Sequence, residues 1–307
     1  MCNALFLRWN LARFAVFVLA GFWLLISAYF PVNALITPIA FVAAAVANAT
    51  AVGGGFLFFP LFTYYFGLGP EQSIKLSLST QAFGMTSGAL SWSRSYIDGR
   101  ALLLGGGAGA IGVICGTFIW VLPAGQIKPF FGWLSIVIFL VILAEIKLGR
   151  DAQRAKVQFQ PNPAAAGFAL MALLGGLVTA WAAIGIGEFI ALYLLLVYRV
   201  RFTVAVATGV AVLAVCSVVA FVCHTQLGGI VWQFLLFTVP GVLLGGAAGA
   251  KLGKALSPWL ARKFSGRVAL GGFWADLVSE QGAGLKWLFS MVVLVDGVLI
   301  LLHHYCW

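Results

Sequence analysis

Residues 50–61 read Thr-Ala-Val-Gly-Gly-Gly-Phe-Leu-Phe-Phe-Pro-Leu, a triple-glycine interruption within the apolar segment 34–66. No Asp, Glu, Lys or Arg occurs between Arg13 and Glu71, an interval of 57 residues. A membrane-spanning helix needs about 20 apolar residues, so this interval is long enough to cross a bilayer twice. It cannot also supply the charged surface of a soluble domain. The stretch therefore predicts a broken helix inside a membrane protein.

The composition of the whole chain supports that interpretation. Of the 307 residues, 63% are hydrophobic and 8% are charged, whereas about a quarter of the residues in soluble domains are charged. A second uncharged interval covers residues 202–250. We therefore expect an all-α polytopic membrane protein, with a single transmembrane domain over 1–307. The net charge of +10 is explained by basic loops that orient the chain, so no nucleic-acid partner is expected.

Nine apolar segments follow one another along the chain. Two of them, 34–66 and 164–198, are too long for one span, and each contains a glycine cluster: Gly53-Gly54-Gly55 in the first and Gly185-Ile186-Gly187 in the second. Glycine disfavours a helix by about 1 kcal/mol relative to alanine, so each cluster predicts a helix break. The remaining segments are predicted single spans, at 14–30, 70–93, 101–122, 129–146, 202–226, 230–250 and 287–302.

The distribution of basic residues bears on whether the two long segments cross the membrane. With the N-terminus inside and nine crossings, 12 basic residues lie inside and 6 outside. With 34–66 and 164–198 as re-entrant hairpins, only Lys75 and Lys128 lie outside, and the split is 16 to 2. Because cytoplasmic loops are enriched in Lys and Arg, re-entrant hairpins in the cytoplasmic (inner) membrane, with a cytoplasmic N-terminus, are favoured. A broken span looks the same in sequence and stays open as the alternative.

The favoured topology divides the chain into two inverted repeats, 34–148 and 164–302, preceded by one extra N-terminal helix. Each repeat is a broken or re-entrant helical hairpin followed by three transmembrane helices. Since three is an odd number of crossings, the second repeat starts from the opposite face. The two glycine clusters lie 132 residues apart, and Gly112-x-x-x-Gly116 recurs as Gly245-x-x-x-Gly249. The second pair extends to a ridge, Gly241 to Gly253, which close helix packing explains.

Broken helices at membrane depth are typical of a transport site. Inverted repeats with discontinuous helices are common in secondary transporters, with the substrate near the midplane. A half-helix that begins there presents unpaired backbone N–H groups and a positive dipole end to the cavity. Two such ends suit an anion without a fixed cation, and no Lys or Arg lies deep in an apolar segment. The alternative is that the glycines only break helices. If they do more, Gly54 and Gly185 should exclude a side chain.

The run from Thr50 to Leu61 resembles the first signature of the TauE/SafE family of sulfite and organosulfonate exporters, a glycine-rich turn with a proline five residues after its last glycine. Further stretches match the family's pattern in order: Ser77-Leu78-Ser79-Thr80, Ile97-Asp98-Gly99, Gly176 to Glu188 and Ala207-Thr208-Gly209. The resemblance covers about residues 34–256. It implies transport of small sulfur-containing or carboxylate anions, without an ATPase domain.

The resemblance also implies a substrate site at the hairpin tips. Its candidate residues are the glycines and the small polar or aromatic residues of the matched motifs: Thr50, Gly53, Gly54, Gly55, Ser79, Thr80, Trp181, Gly185, Gly187 and Thr208. Two positions depart from the pattern, because Glu188 follows the second cluster and Leu192 stands where the first repeat has Pro60. An acid beside an anion site is electrostatically unfavourable, which puts the identity of the substrate in doubt.

Glu188 and Asp296 are the two acids well inside apolar runs. A charged residue there costs about 2.5 kcal/mol or more, so both are candidates for coupling a proton to anion movement. The alternative for Glu188 is a protonated carboxyl that hydrogen-bonds the broken backbone. Lys75 lies four residues after Glu71, the spacing of a helical ion pair, and this pairing is favoured over a role as a substrate ligand.

The sequence thus predicts a secondary transporter, acting as an exporter, of sulfite or a small organosulfonate, with proton coupling. No metal, other cofactor or catalytic site is expected, and a homodimer is one option for its assembly. One alternative is thiosulfate-type uptake by a cysteine relay, since Cys216 and Cys223 share a helix face. The others are a membrane enzyme, for which no His-rich metal set or Gly-x-Ser-x-Gly motif is found, and an assembly factor without transport.

Overall fold

The computed structural model describes residues 35–92, 96–149, 163–264 and 283–306, and within these ranges its regular secondary structure is helical. It has ten α-helices there: α1 Ile36–Thr50, α2 Gly55–Pro60, α3 Pro70–Ser91, α4 Gly99–Phe118, α5 Ala124–Gly149, α6 Pro163–Ala182, α7 Ile186–Leu196, α8 Phe202–Leu227, α9 Trp232–Phe264 and α10 Ala283–Cys306. A π-helical turn, Leu61–Tyr65, continues α2. The predicted N-terminal span 14–30 lies outside the described residues.

Five helices are long and apolar enough to cross a membrane, namely α4, α5, α6, α8 and α9. Leu90, Leu103 and Leu244 expose most of their side chains on the helix surfaces, as a lipid-facing surface requires. Helices suit this environment because they satisfy their backbone hydrogen bonds internally. The prediction of a helical, polytopic membrane protein is confirmed for the described residues.

Helix α3 has the length of a span but a more polar composition. Its 22 residues extend over about 33 Å at 1.5 Å per residue. Its polar side chains are directed inward, and the buried ones are Ser73, Ser77, Ser79, Thr80 and Gln81. The helix therefore brings hydroxyl and amide groups into the centre of the bundle.

Both long apolar segments break where the glycine clusters predicted. Helix α1 ends at Thr50 and α2 begins at Gly55, while α6 ends at Ala182 and α7 begins at Ile186. Ala51 and Ala183, 132 residues apart, have left-handed φ angles of 60° and 58°, a region uncommon for residues with a side chain. The prediction that glycine conformation produces the first break is wrong, because the positive φ there belongs to Ala51. In the second break Gly185 also has a positive φ, 119°.

The glycine ridge of α9 packs directly on the backbone of α1. Successive glycines meet successive turns of α1, with the pairs Gly241–Thr37, Gly245–Phe41 and Gly249–Ala45. At each pair the carbonyl oxygen of α1 occupies the space that a Cβ would need. The ridge therefore serves close packing, as predicted, and the order of the pairs shows that the two helices run in the same direction.

Helices α4 and α6 repeat this arrangement. Gly112 and Gly116 of α4 lie against the backbone of Leu173 and Leu177 of α6, in that order. These two helices also run parallel, and the contact that joins them is again glycine on backbone. The packing of α1 with α9 and of α4 with α6 is the most extensive between any two described helices.

The remaining contacts fix the directions of the other central helices. Helix α3 runs parallel to α9, with the contacts Thr80–Thr238 and Ser87–Leu243. It runs antiparallel to α8, with the contacts Lys75–Gly228 and Gln81–Ser217. Helix α8 runs parallel to α4, with the contacts Val212–Gly105 and Cys216–Gly109. Helices α1, α3 and α9 therefore point one way, and α4, α6 and α8 point the other way.

The two breaks lie in the largest hydrophobic core of the described structure. Ala51 and Val52 of the first break and Ala183 and Ile184 of the second are completely buried in it. Helices α3, α8 and α5 surround these residues. The interrupted backbone is thus enclosed by protein, which is where irregular structure is tolerated in a membrane domain.

Candidate functional site

The two helix breaks are in direct contact. A Cβ added at Gly55 would lie 2.6 Å from the carbonyl oxygen of Ala183, and one added at Gly187 would lie 2.7 Å from the carbonyl oxygen of Ala51. Neither position has room for a side chain, so glycine is required by the close approach of two backbones. Adding 132 to each residue number of one contact gives the partners of the other. The two breaks therefore contact each other through equivalent positions.

Glu188 joins the two breaks by hydrogen bonds. Its side chain is fully buried at the third position of α7. Oε1 accepts from the backbone N–H of Gly53 at 2.7 Å, and Oε2 accepts from the N–H of Gly185 at 3.2 Å. A carboxylate in the first turn of a helix is favoured by the helix dipole. Of the two roles left open by the sequence, hydrogen bonding to the broken backbone is seen, and proton coupling stays a prediction.

Gln81 of α3 is a site residue that the sequence analysis missed. Its buried side chain accepts from the N–H of Gly55 at 3.3 Å and donates to the hydroxyl of Ser217 at 2.9 Å. It thereby satisfies an N–H group at the start of α2 and ties that helix to α8. The available signal was a glutamine next to Thr80 in an otherwise apolar span, where a polar side chain is costly without a partner.

Thr179 of α6 has the corresponding role at the second break. Its hydroxyl accepts from the N–H of Ile186 at 3.1 Å and donates to the carbonyl of Ile184 at 3.2 Å. The residue lies in the matched stretch that leads into the glycine cluster, but nothing in the sequence identified its partners. Together with Glu188 it satisfies the N–H groups of Gly185 and Ile186 at the beginning of α7.

Gly54 is less constrained than predicted. Its φ is −62°, an ordinary helical value, and an added Cβ would first meet the ring of Phe58 at 3.1 Å and then Oε1 of Gln81 at 3.7 Å. Side chains can yield where a backbone cannot. The tight position of the first cluster is Gly55, not Gly54, whereas the prediction for Gly185 is confirmed by its positive φ.

Three of the predicted hydroxyl residues bond to nearby backbone. Thr50 donates to the carbonyl of Val46 at 2.9 Å, and Ser79 donates to the carbonyl of Lys75 at 2.7 Å. Thr208 accepts from the N–H of Asp98 at 3.1 Å, beside the start of α4. These hydroxyls hold helices and a loop in place and are not directed to the contact between the breaks.

Thr80 and Trp181 connect helices near the site. The hydroxyls of Thr80 and Thr238 lie 3.1 Å apart, which joins α3 to α9. The indole N–H of Trp181 donates to the carbonyl of Trp120 at 2.6 Å, at the end of α4. The structure thus brings Gly53, Gly55, Gly185, Gly187 and Glu188 into one contact and places the other predicted residues around it.

Asp296 lies in a different part of the structure. It borders a cavity of about 490 Å³ together with Pro60, Tyr64 and His303. The ammonium group of Lys128 lies 5.3 Å from the centre of the Tyr64 ring. The two membrane acids therefore occupy separate environments, and only Glu188 contacts the helix breaks.

Two cysteines of α8 lie inside the bundle. Cys216 is completely buried and faces Gly109 of α4, close to the side chain of Ile186 in the second break. Cys223 is nearly buried two turns later, and both are free thiols. Their shared face is as the sequence predicted, and Cys216 is close enough to the second break to keep the relay alternative in view.

Two interrupted helices that meet through buried backbone N–H groups, inside a helical membrane domain, are the construction of a membrane transport protein. Residues 36–270 match the family model described as sulfite exporter TauE/SafE. The match covers more than half of the chain, so the protein belongs to the TauE/SafE family, and the resemblance seen in its glycine motifs is confirmed. No curated protein and no solved structure shows a significant match.

Proposed function

We propose that this protein is a secondary transporter that exports sulfite or a small organosulfonate across the cytoplasmic membrane. The observation that carries the proposal is the convergence of two backbone N–H groups, from Gly53 and Gly185, on a single buried carboxylate. Donors arranged in this way suit the oxygen atoms of any small oxyanion, since helix starts favour negative charge. Family membership adds the sulfur-containing class of anion.

The architecture we propose is a pair of inverted repeats, 34–148 and 164–302, with re-entrant hairpins. It is supported by the direction of the helices, because α1 and α3 run parallel to the same helix, α9. If α1 and α2 together crossed the membrane once, α3 would return antiparallel to α1. Helices α6 and α8 are parallel to α4 in the same way, and they point opposite to α1 and α3.

The mechanism we propose is an exchange of one anion for another at the helix breaks. While Glu188 is ionised, its carboxylate holds the N–H groups of Gly53 and Gly185 and repels an incoming anion. Once Glu188 is protonated, the repulsion is removed, and the neutral carboxyl binds these N–H groups less strongly than the carboxylate. A proton and the substrate then favour each other's binding, and linkage makes that effect reciprocal. Separation of the two hairpin tips toward either face would release the substrate.

Flux through the purified protein in liposomes tests the proposal. We expect efflux of sulfite and of isethionate above that from empty liposomes, and little efflux of a cationic solute of similar size such as choline. Isethionate is the more informative substrate, because sulfite also crosses membranes slowly as its neutral acid. Absence of protein-dependent flux for both anions would contradict transport and favour the assembly-factor alternative.

Uptake by a cysteine relay is the second candidate function, and the position of Cys216 beside Ile186 supports it. The relay needs thiols, whereas exchange at the backbone N–H groups does not. The two functions therefore differ in their response to removal of Cys216 and Cys223.

A further inference from the structure

A cavity of about 220 Å³ lies at one end of the bundle. Helix α3 begins there and α4 and α8 end there, since the cavity is bordered by Glu71, Thr117 and Leu227. At a share of about 30 Å³ for each water molecule, the cavity has room for about seven waters, or for a two-carbon sulfonate with a few of them. It is therefore large enough for a small organic anion.

The inner wall of this cavity adjoins the second helix break. Ala180 and Trp181, in the last turn of α6, border the cavity. The break begins two residues later, at Ala183. The cavity thus extends from one face of the bundle toward the place where the two breaks meet.

Two buried polar side chains on the cavity wall have unused hydrogen-bonding groups. His224 is 7% exposed and Thr117 is 5% exposed. Within the described residues, neither ring nitrogen of His224 nor the hydroxyl of Thr117 has a hydrogen-bond partner. Leaving such groups unpaired costs about 1–3 kcal/mol each, so a ligand or water that bonds them is favoured.

Lys75 supplies positive charge to the same cavity. Its side chain is 11% exposed, and its ammonium group contacts a carboxylate oxygen of Glu71 at 2.7 Å and donates to the carbonyl of Gly228 at 3.1 Å. An ammonium group has three N–H donors, so one remains. The side chain of Glu71 is 63% exposed, and a pair of this kind contributes about 1 kcal/mol or less. A buried anion can therefore compete with Glu71 for Lys75.

We infer that this cavity is a second anion-binding site, in which Lys75, His224 and Thr117 bind a small sulfonate between the membrane face and the helix breaks. The identity of the anion rests on the proposed function, whereas the binding chemistry rests on the three side chains. Lys75 provides the charge, and the neutral imidazole and the hydroxyl each donate one hydrogen bond. The site would raise the local concentration of substrate beside the second break.

Cysteine labelling tests the site without relying on transport. Thr117→Cys, in a background without native cysteines, is treated with a sulfonate-bearing and with a quaternary-ammonium methanethiosulfonate, and each rate is divided by that of free cysteine. We expect the anionic reagent to be favoured about tenfold by the nearby charge. Isethionate should slow its reaction. Isethionate is used because sulfite cleaves the disulfide product.

The control compares two lysines at the same end of the bundle. Lys75→Met should reduce the tenfold preference to about one, whereas Lys128→Met should leave it unchanged, because Lys128 lies over the Tyr64 ring. If Thr117→Cys does not fold, Val121→Cys takes its place, since Val121 borders the same cavity and is 65% exposed.

Two results would overturn the inference. They are equal normalised rates for both reagents, and an anionic preference that survives Lys75→Met. Charge-selective labelling with isethionate protection, in a protein that carries no flux, would support the site and contradict the proposed transport. Flux with unselective labelling would support transport and contradict the site.

Discussion

The backbone N–H of Gly53 donates to the carboxylate of Glu188 at 2.7 Å, across 135 residues of sequence. The same carboxylate accepts from Gly185 in its own break. One acidic side chain therefore fixes the distance between the two hairpin tips. Any movement that separates the tips must break the bond to Gly53, so Glu188 is suited to control both the binding of an anion and the opening of the site.

Replacement of Glu188 by Gln tests proton coupling. In the native protein, isethionate affinity should rise as the pH falls, because protonation removes the charge that competes for the N–H groups of Gly53 and Gly185. Glu188→Gln cannot ionise, so its affinity should vary little with pH, and it should exchange anion for anion without being driven by a proton gradient. Titration calorimetry between pH 5 and 8 and counterflow in liposomes measure these effects. Glu71→Gln is the matched control and should keep the native profile. A native profile in Glu188→Gln would transfer the role to Asp296.

Replacement of Gly55 by Ala tests the contact between the breaks. The added methyl would lie 2.6 Å from the carbonyl oxygen of Ala183, and overpacking of this kind costs about 1–3 kcal/mol. We expect a lower melting temperature and loss of flux, with normal insertion. Gly107→Ala on α4, where nothing lies within 4 Å, should change neither. Native flux in Gly55→Ala would mean that the two tips need not touch during transport.

Replacement of Gln81 by Ala tests the polar connection between α3, the first break and α8. It leaves the N–H of Gly55 and the hydroxyl of Ser217 without partners, at a cost of about 1–3 kcal/mol for each group. The effect should partly overlap with that of Ser217→Ala in a double-mutant cycle. Gln72→Ala, at an exposed position of the same helix, should change stability by less than about 0.5 kcal/mol. Additive effects of the two core substitutions, measured by thermal unfolding in detergent, would show that the hydrogen bond does not form.

Single cysteines test the re-entrant topology. With the native cysteines removed, Leu35→Cys at the start of α1 and Gly69→Cys at the start of α3 should both react with an impermeant maleimide added outside intact cells. Gly99→Cys, at the start of α4, should react only after the membrane is opened. Labelling of positions 35 and 69 from opposite sides would mean that the first segment crosses the membrane and that the repeats are not inverted.

Removal of the thiols separates the two candidate functions. Cys216→Ser with Cys223→Ser should keep at least half of the isethionate flux, because exchange at backbone N–H groups requires no sulfur. Serine at the fully buried position 216 should lower the melting temperature, so flux is compared at equal amounts of folded protein. Complete loss of flux in a folded double variant would support the relay.

The positions of both helix breaks could be predicted from sequence, but their cause could not be predicted fully. Two glycine clusters within segments too long for one span locate the interruptions. The left-handed residues are Ala51 and Ala183, however, and alanine carries no local signal for that conformation. Contacts between the two breaks impose it, and those contacts join residues more than 120 positions apart.

The candidate site was predictable in composition and not in pairing. Glu188 was identified because an acid in an apolar run is costly, yet its bond to Gly53 depends on how two distant segments meet. Gln81 was missed because it follows the small polar residues Ser79 and Thr80, from which sequence alone could not distinguish it. Thr208 was included by motif, and its hydroxyl instead bonds to Asp98.

The glycine ridge of α9 also constrains the order in which the protein can be assembled during synthesis. Helix α1 finds its main partner in a ridge that begins about 190 residues later, at Gly241. At about 5–20 residues per second, the ribosome needs about 10 to 40 seconds to deliver that partner. Throughout this interval the first hairpin is already made, but the helix that should cover it does not yet exist. During that time the hairpin must be shielded by lipid, by the insertion machinery or by a chaperone.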